Sequence, residues 1–342
     1  MHKYLVTGGA GFIGSHIVQR LLKDGHFVRV LDNLFSGKLQ NLSFTQQAQR
    51  QAGNTQYEFI KGDIRDISTC KSACRDIDFV LHQAALRSVP KSLENPAEYN
   101  DVNINGVLNM LEAARAEHVK RFVFASSSSI YGETEIFPQK EEHLPNLISP
   151  YALTKLTGEY YCRIYSKHYG FSTVCLRYFN VFGPRQALDD EYSVVIPKFI
   201  TCILNDQQPP IFGNGKQSRD FTYIDNVVQA NILAATHNTT EGGPERSRGA
   251  HDARGNTNSG VFHEVFNIAN GRDNSVLELV DTLNNILNKD IKPQLEPVRP
   301  GDVFRTLADI SKAKERLGYQ PEVDFEQGLI RTVDWFRKQL TH

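Results

Sequence analysis

Tyr151 and Lys155 form a Tyr-x-x-x-Lys pair, the spacing in this sequence that most directly suggests chemistry. Residues four apart on a helix share one face and lie one turn from each other. A phenol with an ordinary pKa of about 10 is a poor base at neutral pH, but a neighbouring cation favours the phenolate and lowers that pKa. Ser127, in the segment SSSSIYG, adds a hydroxyl that can bind the same substrate group. The three side chains predict a proton-transfer centre, although a Tyr-x-x-x-Lys pair alone also occurs on plain helix surfaces.

A glycine-rich turn near the N-terminus is typical of a dinucleotide site, which bears on how the Tyr151/Lys155 pair is interpreted. In TGGAGFIGSH, three glycines follow the first predicted strand and open the first predicted helix: Gly8, Gly11 and Gly14. Glycine permits a tight turn and a close approach of the backbone to a pyrophosphate at the helix N-terminus. Asp32 ends the second predicted strand, where a carboxylate accepts the ribose hydroxyls of NAD and repels the 2'-phosphate of NADP. Three glycines alone fit an ordinary strand-to-helix turn, but with Asp32 they predict NAD and a hydride-transfer centre.

These residues require a particular scaffold. Short apolar runs alternate with amphipathic segments of helical length, which is typical of βαβ units and a parallel sheet covered on both faces. The predicted strands are 4–7, 27–32, 57–63, 78–85, 121–127 and 173–178, and the predicted helices include 103–119, 192–204, 224–236, 276–287 and 325–340. Together they predict an α/β fold, a Rossmann-type doubly wound parallel sheet with a smaller, mixed α/β C-terminal substrate domain.

The predicted domains are interleaved. An NAD-binding domain covers 1–183 and is re-entered near 221–237 and 262–270, and the remainder of 184–342 mainly binds the substrate. The segment 238–260 is rich in Gly, Asn, Ser and Arg and is expected to be a mobile surface loop.

The composition narrows the classes of partner. The chain has 342 residues and a formal net charge of −1, with 38 Lys and Arg against 39 Asp and Glu. This balance lacks the basic footprint of a nucleic-acid binder. The five cysteines are scattered without metal-ligand spacing, so we expect no metal site and a reducing compartment. With neither a signal segment nor a membrane span in the sequence, we expect a cytoplasmic protein.

Longer motifs add a resemblance to a known family. The chain resembles the extended short-chain dehydrogenases/reductases from Tyr4 to about Phe336, on TGGAGFIGS, Asp32, HQAA, SSSSIYG, the Tyr151/Lys155 pair and RYFNVFGPRQ. Within that group it is similar to nucleotide-sugar 4-epimerases, most closely those acting on UDP-N-acetylglucosamine, on RYFNVFGPRQ, VVIPKF, FGNGKQSRDFTYIDNVVQAN, RPGDV and LADISKAKERLGY. The resemblance implies tightly bound, recycled NAD and a UDP-hexose substrate that passes through a transient 4-keto sugar.

The resemblance also implies roles for individual residues. Tyr151 would be the acid or base at the sugar 4-hydroxyl, Lys155 would bind the nicotinamide ribose, and Ser127 would share the hydroxyl. The residues expected to bind NAD are Gly8, Gly11, Phe12, Ile13, Gly14, Asp32, Asn33, Ser36, Gly37, Asp63, Ile64, Gln83, Ala84, Ala85, Arg87, Asn103, Tyr151, Lys155 and Tyr178. The residues expected to bind the UDP-sugar are Ser88, Ser127, Ser128, Tyr151, Asn180, Gln186, Val194, Val195, Lys198, Phe212, Arg219, Arg299, Asp302 and Thr306.

Several alternatives stay open from the sequence. Related 4,6-dehydratases carry an Asp-Glu pair where this chain has Ser128 and Ser129, which favours epimerisation. Arg87 could face the cofactor phosphates or the carboxylate of a uronic acid, so UDP-glucuronate 4-epimerase is one alternative. Thr306 leaves room for an N-acetyl group, whereas Val194 is bulkier, so UDP-glucose is another. A non-catalytic NAD-binding regulator is the alternative from a different class. The family also suggests a homodimer formed through helices 103–119 and 151–169.

Overall fold

The computed structural model of the protein describes residues 1–45, 56–187, 195–237, 261–298 and 303–340. The described strands are β1 Lys3–Thr7, β2 Phe27–Asp32, β3 Tyr57–Lys61, β4 Phe79–His82, β5 Arg121–Ser127, β6 Thr173–Tyr178, β7 Val181–Phe182, β8 Pro210–Phe212, β9 Ser218–Arg219, β10 Thr222–Tyr223, β11 His263–Ile268, β12 Asn274–Ser275 and β13 Gln294–Glu296. The α-helices with described bounds are α1 Phe12–Lys23, α2 Ile67–Cys74, α3 Val89–Glu94, α4 Pro96–Asn100, α5 Gly106–Ala116, α6 Pro150–Tyr169, α7 Val195–Leu204, α8 Ile224–Thr236, α9 Val276–Leu287, α10 Ser311–Leu317 and α11 Phe325–Leu340.

Seven parallel strands form the central sheet, in the order β11-β6-β5-β4-β1-β2-β3. Side chains along each strand alternate between the two faces of the sheet. Val6 therefore packs on one face with Ile17 of α1 and with α8, whereas Leu5 packs on the other face with Met110 of α5 and Cys162 of α6. The two apolar layers confirm the predicted Rossmann-type, doubly wound sheet.

The strand order reverses at β1, which lies between β2 and β4. In sheets of this kind, the crevice outside the carboxyl ends of the strands at the reversal is where ligands bind. The glycine-rich turn leaves β1 at that edge, and the segment after β4 arrives there too. The topology thus brings the two ends of the predicted site together.

The structure corrects several predicted bounds. The strand predicted over 57–63 ends at Lys61, and the one predicted over 78–85 covers only Phe79–His82. β4 ends early because Ala84 N donates to Thr7 Oγ1 instead of continuing the ladder. The helix predicted over 103–119 starts with a π-helical turn, Asp101–Asn105, and its α-helical part stops at Ala116, since the chain turns at His118 with a φ of 56°.

The second half of the chain covers the carboxyl edge of the sheet with short strands and helices. β7 pairs with β10, β8 with β13 and β9 with β12, and the rings of Phe182, Phe221 and Phe325 pack together beneath them. α8 and β11 return to the central sheet from within the two predicted re-entry segments. The domain boundary at 183 stays a prediction, and 238–260 lies outside the described residues. Among the described helices, none combines the length and apolar character needed to cross a membrane.

Candidate active site

A cleft of about 1390 Å³ follows the carboxyl edge of the central sheet. A pocket for one small ligand usually measures about 300–1000 Å³, so this cleft has room for two ligands. The predicted site residues in its wall are Gly8, Gly11, Phe12, Ile13, Gly14, Asp32, Asn33, Ser36, Gly37, Asp63, Ile64, Gln83, Ala84, Ala85, Arg87, Ser127, Ser128, Tyr151, Lys155, Tyr178, Asn180, Gln186, Val195, Lys198, Phe212, Arg219 and Thr306.

The glycine-rich turn forms one end of this cleft. Gly8 has a φ of 66°, in the left-handed region that favours glycine. At Gly14, an added Cβ would lie 2.2 Å from the Gly8 carbonyl oxygen, so this position excludes any side chain. Gly11 N donates to the same oxygen at 3.1 Å. The bare backbone leaves the N-terminus of α1 open to a pyrophosphate, which is where a helix binds anions best.

Asp32 lies beside this turn with its carboxylate already oriented by the protein. Ala10 N donates to Oδ2 at 2.9 Å and Leu34 N donates to Oδ1 at 2.8 Å. Burial raises the pKa of Asp32 above its ordinary value, although these two hydrogen bonds act in the opposite direction. A Cβ on Gly37 would lie 2.9 Å from both carboxylate oxygens, so glycine keeps them accessible. The turn and the oriented carboxylate together fit the pyrophosphate and adenosine ribose of NAD.

Tyr151, Ser127 and Lys155 meet near the middle of the cleft. Ser127 and Tyr151 both line the cleft there, and Lys155 Nζ donates to Ala125 O at 2.7 Å while lying 5.8 Å from the centre of the Tyr151 ring. Burial lowers the pKa of Lys155 to about 7. Burial also raises the pKa of Tyr151, although the neighbouring Ser127 hydroxyl and the Arg87 charge act to lower it. These causes are all protein groups, so the expectation that the ammonium and a nicotinamide cation together favour the phenolate stays a prediction.

An amide pair holds the neighbouring Tyr178. Asn231 Nδ2 donates to the Tyr178 hydroxyl at 2.8 Å, and Gln83 Nε2 donates to Asn231 Oδ1 at 3.0 Å. Asn231 is fully buried on α8 and was not among the predicted site residues. The signal that could have identified it is an asparagine within the apolar run of this helix, because a buried amide requires partners.

Side chains from distant segments form the other end of the cleft. Asn180 Nδ2 donates to Thr306 Oγ1 at 2.9 Å, and Arg219 donates to the carbonyl of Phe304. Asp220, which sequence reasoning missed, is fully buried and accepts from Asn270 N, Gly271 N and Ala308 N at 2.9 to 3.2 Å. Burial raises the pKa of Asp220 to about 7, despite these bonds. Asp220 thereby ties three chain segments together behind Asn180 and Thr306.

Some predicted residues lie elsewhere. Asn103 is buried and bonds the backbone N–H and carbonyl of Leu86. Ser88 caps α3, accepting from Lys91 N. Neither is among the residues of the cleft wall, so direct ligand contacts by these two stay predictions. Val194, Arg299 and Asp302 fall outside the described residues, as does the start of the helix predicted over 192–204.

The comparison with family models shows to which family the chain belongs. Residues 5–332 match the model described as GDP-mannose 4,6 dehydratase. The chain belongs to this family of extended short-chain dehydrogenases/reductases. The match spans both the cofactor end of the cleft and the segments at its other end, so the whole site lies within the family's fold.

Three proteins similar to this chain along almost their whole length are known as 4-epimerases. A UDP-glucose 4-epimerase of Mycolicibacterium smegmatis is 35% identical over 98% of this chain and 98% of its own length. The structure of a UDP-N-acetylglucosamine 4-epimerase from Methanobrevibacter ruminantium, in complex with UDP-N-acetylmuramic acid, is 38% identical with a TM-score of 0.85, covering 99% of both chains. The structure of a UDP-glucuronic acid 4-epimerase from Bacillus cereus, in complex with UDP-glucuronic acid and NAD, is 33% identical with a TM-score of 0.82, covering 98% of this chain and 99% of that one.

Proposed function

We propose that this nucleotide-sugar 4-epimerase interconverts UDP-N-acetylglucosamine and UDP-N-acetylgalactosamine with tightly bound NAD. The observation that carries the proposal is the meeting of Ser127, Tyr151 and Lys155 in one cleft, between the glycine-rich turn and the Asn180–Thr306 pair. Ser128 and Ser129 line the same cleft. They provide no acid or base for an elimination of water, which favours epimerisation over dehydration.

Tyr151 is the proposed acid and base at the sugar 4-hydroxyl. It takes the proton of that hydroxyl when the 4-keto sugar forms and returns a proton when the opposite epimer forms. Ser127 orients the same oxygen. Since burial raises the pKa of Tyr151, the phenolate requires further positive charge within the cleft.

Gly8, Gly11 and Gly14 would hold the NAD pyrophosphate, Asp32 the adenosine ribose and Lys155 the nicotinamide ribose. NAD bound there supplies a hydride acceptor for C4 of the sugar together with a positive charge on its oxidised ring. Tyr178, fixed by Asn231, closes the wall beside the nicotinamide end.

The preference for an N-acetylated sugar rests on the other end of the cleft. Thr306 lies in its wall with a small side chain, and Asn180 is held against Thr306 Oγ1. Arg219 in the same wall suits a diphosphate, because guanidinium pairs with phosphate oxygens in a bidentate geometry. The similarity to the M. ruminantium UDP-N-acetylglucosamine 4-epimerase supports the same sugar class.

UDP-glucuronate is the second candidate substrate, favoured by Arg87. This guanidinium lines the cleft, and its charge acts on Tyr151. A cation this near the reactive hydroxyl is suited to pair with the carboxylate of a uronic acid. The similarity to the B. cereus UDP-glucuronic acid 4-epimerase supports this alternative.

Product analysis with purified protein tests the proposal. We would incubate it separately with UDP-N-acetylglucosamine, UDP-glucose and UDP-glucuronate and resolve the epimers by chromatography. The largest kcat/KM is expected for UDP-N-acetylglucosamine. A larger value for UDP-glucuronate would favour the Arg87 alternative, and a larger value for UDP-glucose would favour the plain hexose. If NAD-loaded protein epimerised none of the three sugars, the proposal would fail and the non-catalytic NAD-binding regulator would be favoured.

The proposed assembly is a homodimer that includes one face of α6. Leu153, Tyr160 and Ile164 are exposed and lie at helical spacing on that face. Light scattering at micromolar concentration tests this: a dimer mass is expected, which Leu153→Glu combined with Ile164→Glu should convert to a monomer.

A further inference from the structure

A buried ion pair lies directly behind the catalytic side chains. Arg177 Nε and Nη2 donate to the two carboxylate oxygens of Glu159 at 2.9 and 2.8 Å. Both side chains are almost fully buried, at 5% and 6% exposure. Ser126 Oγ also donates to Glu159 Oε1, at 2.5 Å. One carboxylate therefore joins three structural elements, α6, β5 and β6.

The chain positions of these three residues give the pair its significance. Glu159 follows Lys155 by one helical turn and Tyr151 by two turns on α6. Ser126 immediately precedes Ser127, and Arg177 immediately precedes Tyr178. Glu159 thus lies on the same helix as Tyr151, and its two partners are chain neighbours of Ser127 and Tyr178.

A second layer of hydrogen bonds fixes the ion pair. Arg177 Nη1 donates to the Tyr131 hydroxyl at 2.8 Å, and that hydroxyl donates to Asn267 Oδ1 at 2.7 Å. Tyr131 ends the 3₁₀ turn that begins at Ser128, and Asn267 lies on β11. Burial alone would lower the pKa of Arg177, but its bonds to Glu159 hold that pKa above the ordinary value.

Stability alone is a weak reason for such an arrangement. A buried ion pair loses the hydration of both charges, and apolar residues of similar size often stabilise a fold equally well. What the bidentate ion pair adds is a geometric constraint, because it fixes the angle and separation of the groups that it joins. In this chain, those groups are the supports of Tyr151, Ser127 and Tyr178.

We propose that Glu159 and Arg177 are positioning residues of the epimerase, which set the position of Tyr151 relative to Ser127 by locking α6 onto the ends of β5 and β6. The inference rests on the proposed function for its catalytic consequence. A displacement of about 1 Å can reduce a rate by about 10²-fold, so loosening this lock should lower kcat while the binding of NAD and of the UDP-sugar is retained.

The test uses two variants and one matched control in the NAD-loaded protein. Glu159→Gln removes the bidentate charge pair, and Ser126→Ala removes only the strand-to-helix bond, which keeps the test possible if Glu159→Gln fails to fold. The control is Glu264→Gln, because Glu264 also forms a mostly buried ion pair, with Lys312 and Arg316, but at the amino end of β11, away from the cleft. Ser126→Thr retains the hydroxyl and should restore the activity lost in Ser126→Ala.

The expected result is a kcat lowered by roughly 10- to 100-fold in Glu159→Gln and less in Ser126→Ala, with KM and bound NAD within about twofold of the parent. Ser127 lowers the pKa of Tyr151, so its displacement from the phenol should move the acidic limb of the kcat–pH profile to higher pH. Arg87, Tyr99 and Lys155, the other charged or titratable groups around Tyr151, are unchanged in every variant. Glu264→Gln should lower Tm but leave kcat and the kcat–pH profile as in the parent.

Equal kcat and an unmoved pH profile in both variants, with only Tm lowered as in the control, would overturn the positioning role. A second readout does not depend on turnover: the titration of Tyr151, measured as the ultraviolet difference between each protein and its Tyr151→Phe counterpart, should shift to higher pH in both variants. If the parent protein epimerises none of the three sugars, the proposed function fails, and this titration still decides the positioning role.

Discussion

The end of the cleft proposed to hold NAD, the cofactor end, is assembled from one βαβ unit. The end proposed to hold the UDP-sugar, the sugar end, is assembled from segments far apart in the chain. Gly8, Gly14 and Asp32 all belong to β1, α1 and β2 and the turns that join them, and backbone groups make most of their contacts. At the sugar end, the Asn180–Thr306 bond joins residues 126 positions apart. The difference teaches that local backbone geometry defines the cofactor end and tertiary packing defines the sugar end. Substitutions should therefore affect one end without the other, and each prediction below tests that separation.

The largest effect is expected between the two ends, at Tyr151→Phe. Removal of the phenol hydroxyl should reduce kcat by at least about 10²-fold, because a phenyl ring can neither take nor return the proton. Bound NAD and the KM for the UDP-sugar should stay unchanged. Initial rates and NAD released by acid provide the measurements, and a kcat within threefold of the parent would remove Tyr151 from its proposed role.

The next effect is at the cofactor end, at Gly14→Ala. The new Cβ would lie 2.2 Å from Gly8 O, so the turn must shift and NAD affinity should fall by more than about tenfold, roughly 1.4 kcal/mol or more. Gly11→Ala is the matched comparison, since its Cβ would lie 3.1 Å from the same oxygen and a small shift accommodates it. Calorimetric titration of the NAD-free proteins with NAD measures the affinity of both variants. Equal affinities in the two variants would contradict the steric argument.

At the sugar end, Asp220→Asn should lower stability by about 1–3 kcal/mol, because the amide cannot accept all three backbone N–H bonds. The folded-state pKa of Asp220 is raised to about 7 from an ordinary 3.8. Its protonation therefore stabilises the folded state at low pH, and this contribution is lost as pH rises through about 7. The Tm advantage of the parent over the variant should shrink from pH 5 to pH 8. An advantage independent of pH would contradict the raised pKa.

The smallest effect is expected for Thr306→Val, which keeps the shape but removes the acceptor of the Asn180 amide. We expect a loss of about 1 kcal/mol in stability and a severalfold higher KM for the UDP-sugar, with NAD affinity unchanged. Thermal unfolding measures the loss of stability, and steady-state kinetics measure the KM. A weaker affinity for NAD would show that the two ends are coupled.

The sequence predicted the cofactor end from its own residues because the relevant signals are local. A glycine turn between strand and helix and an acid at the end of the next strand are readable within about 30 residues. The residues of the sugar end were predicted only from the family resemblance, since nothing local indicates that Asn180 and Thr306 meet. The Tyr-x-x-x-Lys spacing also does not report burial, which raises the pKa of Tyr151.

The residues that sequence reasoning missed share one property. Asn231, Asp220 and Glu159 are buried polar side chains that bind other protein groups around the cleft. Sequence motifs favour residues that face a ligand, whereas these residues support the ones that do. A polar residue within an apolar helical run, such as Asn231 on α8, is the signal that could find them.

The position of β11 at the edge of the sheet also bears on how the protein is made. A ribosome synthesises β6 well before β11, and the intervening residues include much of the sugar end. Until residue 268 has emerged, the nascent chain presents β6 as an open edge with unpaired backbone groups, the kind of surface on which chains aggregate. The sheet that holds the cofactor is thus completed late in translation, and a chain terminated before β11 would expose that edge permanently.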